Sequence, residues 1–181
     1  IGAQILGADV DVLRSSRGYE TIPSVVYVGQ DKKVLVGHLA LERMILEPER
    51  AVHGSKRFLG RPFASREVQT LGHFFNYAMV QGPDGRAAAK VGDVTLRLEV
   101  VAAHILRVLR EMAEHGLRRE VRRAIITVPA YYDEAQRQAV REAGRLAGLQ
   151  VERILNEPTA AAVAFGHGRA LNKTVLVYDL G

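Results

Sequence analysis

The sequence predicts an α/β fold, in which strands are joined by crossover helices. Three observations carry the prediction. In the last third of the chain, strand-like segments at 124–128, 151–155 and 174–178 alternate with helical patterns at 133–147 and 159–165. The first of these segments, Ala-Ile-Ile-Thr-Val, is nearly all apolar, the pattern of a strand buried on both faces. The 181 residues are 48% hydrophobic and 25% charged, the balance of a globular chain long enough to bury a core.

The elements follow in order. Residues 3–6 and 10–13 alternate weakly, and the polar stretch 14–20 is a turn. Residues 22–28 are β-branched and aromatic and read as a strand entered after Pro23. A turn at 29–32 leads to 34–37, the second strand of a hairpin. From His38 to Arg50 the spacing becomes helical, with Leu41, Ile45 and Leu46 on one face. Residues 51–97 are mixed, with a turn at 82–86 and a second hairpin around 91–94. A long helix starts near Glu99 and carries Val101, Ile105, Val108 and Met112 as its apolar stripe, with Gly116 as a natural stop. Pro129 ends the strand at 124–128. Asp133 caps a helix whose small-residue face is Ala135, Ala139, Ala143, Leu146 and Ala147, and Gly148 closes it. After the short strand at 151–155, Pro158 sits in the first turn of a helix ended by Gly166. Residues 174–178 form another buried strand, which runs into Asp179-Leu180-Gly181.

Composition narrows the function. With no cysteine, disulfides, thiolate metal sites and cysteine nucleophiles are excluded. The net charge is +5, from 20 Arg and 5 Lys against 20 acids. The densest basic run, 118–123, is interrupted by Glu120 and Val121, and only 6% of residues are aromatic. Few bases could be stacked, so the expectation is a solvated arginine-rich surface without a nucleic-acid partner. No apolar run approaches the ~20 residues of a membrane span. The first residues lack a signal peptide's basic and apolar regions. A cytoplasmic chain with no membrane partner is expected.

Two sequence features carry chemistry. An acid just past an apolar strand and followed by glycine, as in Asp179-Leu180-Gly181, holds a carboxylate rigidly where a backbone can approach phosphate. The same residues serve equally as a turn with a surface acid. In Asn156-Glu157-Pro158-Thr159-Ala160-Ala161-Ala162, Glu157 falls between a strand and a helix, on the carboxyl edge where open α/β sheets bind ligands. It could orient a water or hold Mg²⁺ through water. Helix capping by Asn156 or Glu157 is the other reading.

Several longer blocks resemble one family. They are Ile126-Thr127-Val128-Pro129-Ala130-Tyr131-Tyr132-Asp133, Gln136-Arg137-Gln138-Ala139, Ala143-Gly144-Arg145-Leu146-Ala147-Gly148-Leu149, the run from Arg153 to Ala162, and Val177-Tyr178-Asp179-Leu180-Gly181. Upstream, Ile22-Pro23-Ser24-Val25-Val26 and Ser55-Lys56-Arg57-Phe58-Leu59-Gly60-Arg61 add two more. In order and spacing the chain resembles the heat-shock protein 70 (DnaK-type) chaperones over residues 17–61 and 98–181, with 62–97 matching loosely.

The resemblance implies an actin-like ATPase (ribonuclease H-like) fold, and only its first lobe. Residues 1–24 and 98–181 would form the core α/β subdomain and 25–97 a smaller outer one. It implies ATP/ADP and Mg²⁺, with K⁺ as a candidate second ion. Implied partners are the second ATPase lobe, the peptide-binding domain, unfolded client peptides, a J-domain co-chaperone and a nucleotide-exchange factor. Lys56 matches the catalytic lysine that reaches the γ-phosphate and attacking water. Glu157 matches the carboxylate near that water and the Mg²⁺ shell. Asp179 matches the acid facing the metal-bound water, and with Leu180 and Gly181 it opens the second phosphate loop. Pro129, Arg137 and Arg153 match positions that relay nucleotide state to the peptide-binding domain.

Two departures qualify the match. The family opens with Asp-Leu-Gly-Thr-Thr and a phosphate-wrapping hairpin, whereas here Ile1-Gly2 leads directly to Ala3-Gln4-Ile5. The second phosphate loop stops at Gly181. Phosphoryl transfer depends on positioning and electrostatics, so the 181 residues alone are expected to bind ATP poorly and to be nearly inactive. A non-hydrolysing regulatory or scaffolding relative of the same fold is the competing reading.

Overall fold

The structure is a computed structural model and describes residues 2–4, 10–166 and 173–178. Ten strands and five α-helices are present among them, in a mixed α/β arrangement. β1 (Gly2–Gln4) and β2 (Val10–Val12) pair antiparallel. β3 (Val26–Val28) lies between β4 (Val34–Val36) and β5 (Ala51–Val52), antiparallel to both. β6 (Ala78–Gln81), β7 (Ala87–Val91) and β8 (Val94–Arg97) form an antiparallel meander. β9 (Arg123–Val128) and β10 (Gln150–Asn156) pair parallel, joined by α4 (Glu134–Leu146) as the crossover helix. Both expected hairpins, the turn at 82–86 and the strand–helix–strand unit are thus present.

One core runs through most of these pieces. Val26, Val52, Phe58, Val91, Leu98, Val101, Val128 and Ala139 are all buried in a single cluster. It draws on the two three-stranded antiparallel sheets, the long helix α3 (Leu98–Leu117), β9 and α4. The opposite face of β3 is covered by α1 (His38–Leu46), over a smaller cluster of Val25, Tyr27, Ala40 and Ala51.

α4 is held at both ends. The Asp133 carboxylate accepts from Gln136 N at 2.8 Å, and Gln136 Oε1 accepts from Asp133 N at 3.3 Å, a reciprocal capping box. At the other end, Arg107 of α3 donates to Leu146 O (3.1 Å), and Arg110 donates to Ala147 O and Gly148 O (3.3 Å each). These guanidinium groups satisfy carbonyls that a helix end leaves without an intrahelical donor. α4 also lies close on β10, since a Cβ on Gly144 would come within 2.3 Å of Val151 Cγ2.

Several sequence expectations are corrected. α1 ends at Leu46 because Glu47 precedes Pro48 and takes a non-helical backbone (φ -134°, ψ 68°), and Pro48–Arg50 is a separate 3₁₀ turn. Its inward residues are Ala40 and Met44, while Ile45 and Leu46 are 78% and 72% exposed. α3 does not stop at Gly116. It runs to Leu117 and is ended by Arg118 at φ 50°, while Gly116 leaves room for Leu13, whose Cδ2 would lie 3.1 Å from an added Cβ. β9 is not covered on both faces: it alternates, and Ile125 is 60% exposed. Ala135 faces outward, and the buried face of α4 is Gln136, Ala139, Val140, Ala143 and Gly144. Residues 174–178 form no strand.

Candidate functional site

The site is built where β9 and β10 end. Lys56 sits in the 3₁₀ turn Ser55–Arg57, entered through Gly54 in the left-handed region (φ 63°). Buried Phe58 and Leu59 anchor the far side of that turn in the main core. The side chain of Lys56 is left 54% exposed. Glu157 is the first residue of α5 (Glu157–Gly166), directly after β10, so its carboxylate stands at the carboxyl edge of the parallel pair. Its side chain is 30% exposed, and Lys56 Nζ meets Glu157 Oε1 at 2.5 Å. Two residues 101 positions apart therefore converge as an ammonium–carboxylate pair open to solvent.

The loop after β9 supports this pair. Pro129 ends the strand, and its carbonyl accepts from Tyr132 N at 3.2 Å. Tyr132 is buried, and its hydroxyl donates to Lys56 O at 2.5 Å. Burial, with the negative charge of Glu157 nearby, holds the Tyr132 phenol well above its ordinary range, so it stays a neutral donor. Arg137 on α4 donates through Nε to Tyr132 O (3.1 Å) and through Nη2 to Asn156 Oδ1 (2.7 Å).

The expected residues divide accordingly. Lys56, Glu157, Pro129 and Arg137 come together. Arg153 in β10 is exposed and stands apart, beside the register shift between Val151 and Arg153. Asp179, Leu180 and Gly181 lie outside the described residues. Sequence motifs give Tyr132 no role, and give Asn156 only that of a helix cap. The doubled tyrosine after Pro129 was visible, but the partner of its hydroxyl lies 76 residues away.

The donor set has a definite chemistry. Among the described residues no group of three or more His, Asp or Glu side chains could cage a metal ion. One carboxylate beside one ammonium instead suits a polyphosphate and a cation that keeps most of its waters, as Mg²⁺ does.

The strand–helix–strand unit makes this an α/β protein, and the lysine–carboxylate pair stands at the carboxyl edge, where open α/β sheets bind their ligands. The sequence profile of the Hsp70 protein family matches residues 3–181. The chain is 44% identical over 179 residues to the chaperone protein DnaK of Thermus thermophilus, with the same identity to the protein from each of two strains. These alignments cover 99% of the chain and 29% of each relative. The chain belongs to the Hsp70 family. That family implies an actin-like ATPase fold, with which the mixed α/β arrangement is consistent. No described helix is long and apolar enough to cross a membrane.

Proposed function

We propose that the chain is the first lobe of the nucleotide-binding domain of a DnaK-like cytoplasmic chaperone, which binds and hydrolyses ATP to control its hold on unfolded peptides. In this reading residues 1–24 and 98–181 are the ribonuclease H-like core subdomain and 25–97 the outer one. The observation that carries it is the Lys56–Glu157 pair at 2.5 Å, formed by two residues that the family resemblance singles out independently.

Lys56 presents a compact positive charge to the γ-phosphate, where its remaining N–H groups can meet oxygens that gain charge as the bond breaks. Glu157 Oε2 takes no hydrogen bond among the described residues, and in this reading it orients the attacking water and receives its proton. When bound, Mg²⁺ neutralises phosphate charge, and Glu157 would hold it through water, with Asp179 as its second carboxylate. Asp179, Leu180 and Gly181 open the second phosphate loop. Pro129, Arg137 and Arg153 pass nucleotide state towards a peptide-binding domain. The second ATPase lobe, a J-domain co-chaperone and a nucleotide-exchange factor complete the set of partners.

Replacing Lys56 by Ala in the full-length protein tests the reading. ATP hydrolysis should be abolished and nucleotide binding kept; unchanged turnover would remove Lys56 from the reaction. The chain spans 29% of the length of the relatives it matches, and on its own it should bind ATP weakly. Micromolar affinity by calorimetry would contradict that.

A further inference from the structure

The hydrogen bonds around Lys56 close into a ring. Lys56 Nζ reaches Glu157 Oε1, and the Lys56 carbonyl accepts from Tyr132 Oη. The Tyr132 carbonyl accepts from Arg137 Nε, and Arg137 Nη2 reaches Asn156 Oδ1. Asn156 is bonded to Glu157 through the chain, which completes the circuit. The ring joins the Lys56 turn, the loop after β9, α4 and the β10–α5 junction.

The Tyr132 hydroxyl is the link that packing does not require. The phenyl ring fills its place in the core, and a phenylalanine would fill it equally. A buried hydroxyl needs an acceptor, and this one has the main chain of the residue whose ammonium the site uses. The turn leaves that carbonyl free: Arg57 N goes to Gly54 O (3.1 Å), and Phe58 N and Leu59 N both go to Ser55 O (3.0 Å). Tyr132 therefore supplies the bond that ties the Lys56 backbone to the loop after β9. Without it, the turn keeps its core anchors at Phe58 and Leu59 but loses its tie to the loop after β9, leaving the exposed ion pair with Glu157, a weak restraint, to hold the ammonium in register with that side of the site.

We propose that Tyr132 is a positioning residue for Lys56, its hydroxyl fixing the lysine turn so that the ammonium stays on Glu157 and faces the phosphates. The inference rests on the reading of Lys56 as a phosphate-facing group, and its test separates the two.

The variant is Tyr132→Phe, which keeps the ring. In the nucleotide-free full-length protein, Lys56 is acetylated with limiting acetic anhydride and its rate followed by peptide mass spectrometry. Exposed Lys32 and Lys90 serve as internal references, and Glu157→Gln marks the unpaired limit. Lys56 should react about fivefold faster in Tyr132→Phe, the factor that one ordinary hydrogen bond supplies, while the reference lysines are unchanged. Equal Lys56 rates in the two chains overturn the proposal, because a merely space-filling Tyr132 would not alter them. In the full-length protein, kcat for ATP hydrolysis should fall by a similar factor with KM unchanged. Faster acetylation with unaltered turnover would uphold the positioning and overturn instead the role of Lys56 in hydrolysis.

Discussion

Gly60 lies backbone to backbone against Gln136. A Cβ at Gly60 would sit 2.8 Å from Gln136 Cα and 2.9 Å from Ala135 O, and the residue is held at φ 76°. Both the left-handed backbone and the contact with α4 exclude a side chain. Because Gly60 closes the segment that starts at Ser55, the same contact seats the Lys56 turn on α4.

Gly60→Ala should therefore cost about 3 kcal/mol, from left-handed strain plus a forced backbone shift. Gly18 is the control: its φ is 82° but nothing lies within 4 Å of an added Cβ. Gly18→Ala should cost only about 1 kcal/mol. Urea denaturation checks both, as a lowered midpoint at unchanged slope.

Glu157→Gln should separate stability from chemistry. The Lys56–Glu157 pair is open to solvent, so its loss should change stability by less than about 1 kcal/mol. On the role proposed for Glu157, loss of its carboxylate should lower ATP turnover about 100-fold in the full-length protein. Parallel melting curves and hydrolysis rates test this, and a large fall in both would make Glu157 chiefly structural.

Arg86 and Glu99 form a different kind of pair. The Glu99 side chain is only 4% exposed and meets Arg86 Nη1 at 3.2 Å. Arg86→Met would strand a buried carboxylate and should cost about 2–3 kcal/mol, less than for a fully enclosed pair because the guanidinium reaches solvent. Adding Glu99→Gln should restore part of the loss. A chemical-denaturation double-mutant cycle measures that coupling.

Two histidines make stability depend on pH. Burial lowers the pKa of His53, which packs on Phe75 and Tyr77, below its ordinary 6.5. His104 is lowered as well, by burial first and the Arg107 charge second. The unfolded chain then takes up protons that the folded chain refuses, so stability falls as pH drops below about 6.5. The loss levels off once the folded histidines titrate too. A double variant, His53→Gln with His104→Gln, should flatten the slope of unfolding free energy between about pH 7 and 5.5.

The parts of the fold legible in the sequence are those written in local chemistry. Asp133 and Gln136 make their capping box within one turn, and Gly92-Asp93 alone turns β7 into β8. The parts that were not legible depend on distant neighbours. Gly116 has the composition of a helix stop, yet what sets it is the approach of Leu13. Leu41, Ile45 and Leu46 have the spacing of a buried stripe, but Pro48 ends the helix and α1 rests on Ala40 and Met44 instead. At the site, Lys56 and Glu157 could be named from motifs. The Tyr132 hydroxyl could not, because no local pattern encodes a bond to a carbonyl 76 residues earlier.

The shared core has a mechanical meaning. Val26 and Val52 of one small sheet, Val91 of another, Val101 of α3 and Val128 of β9 belong to one uninterrupted cluster, with no apolar seam between them. A body built this way cannot hinge internally without exposing its own interior to water. It should melt in one step and yield no stable half to a protease, and any motion it contributes is that of a solid piece turning as a whole against its neighbours.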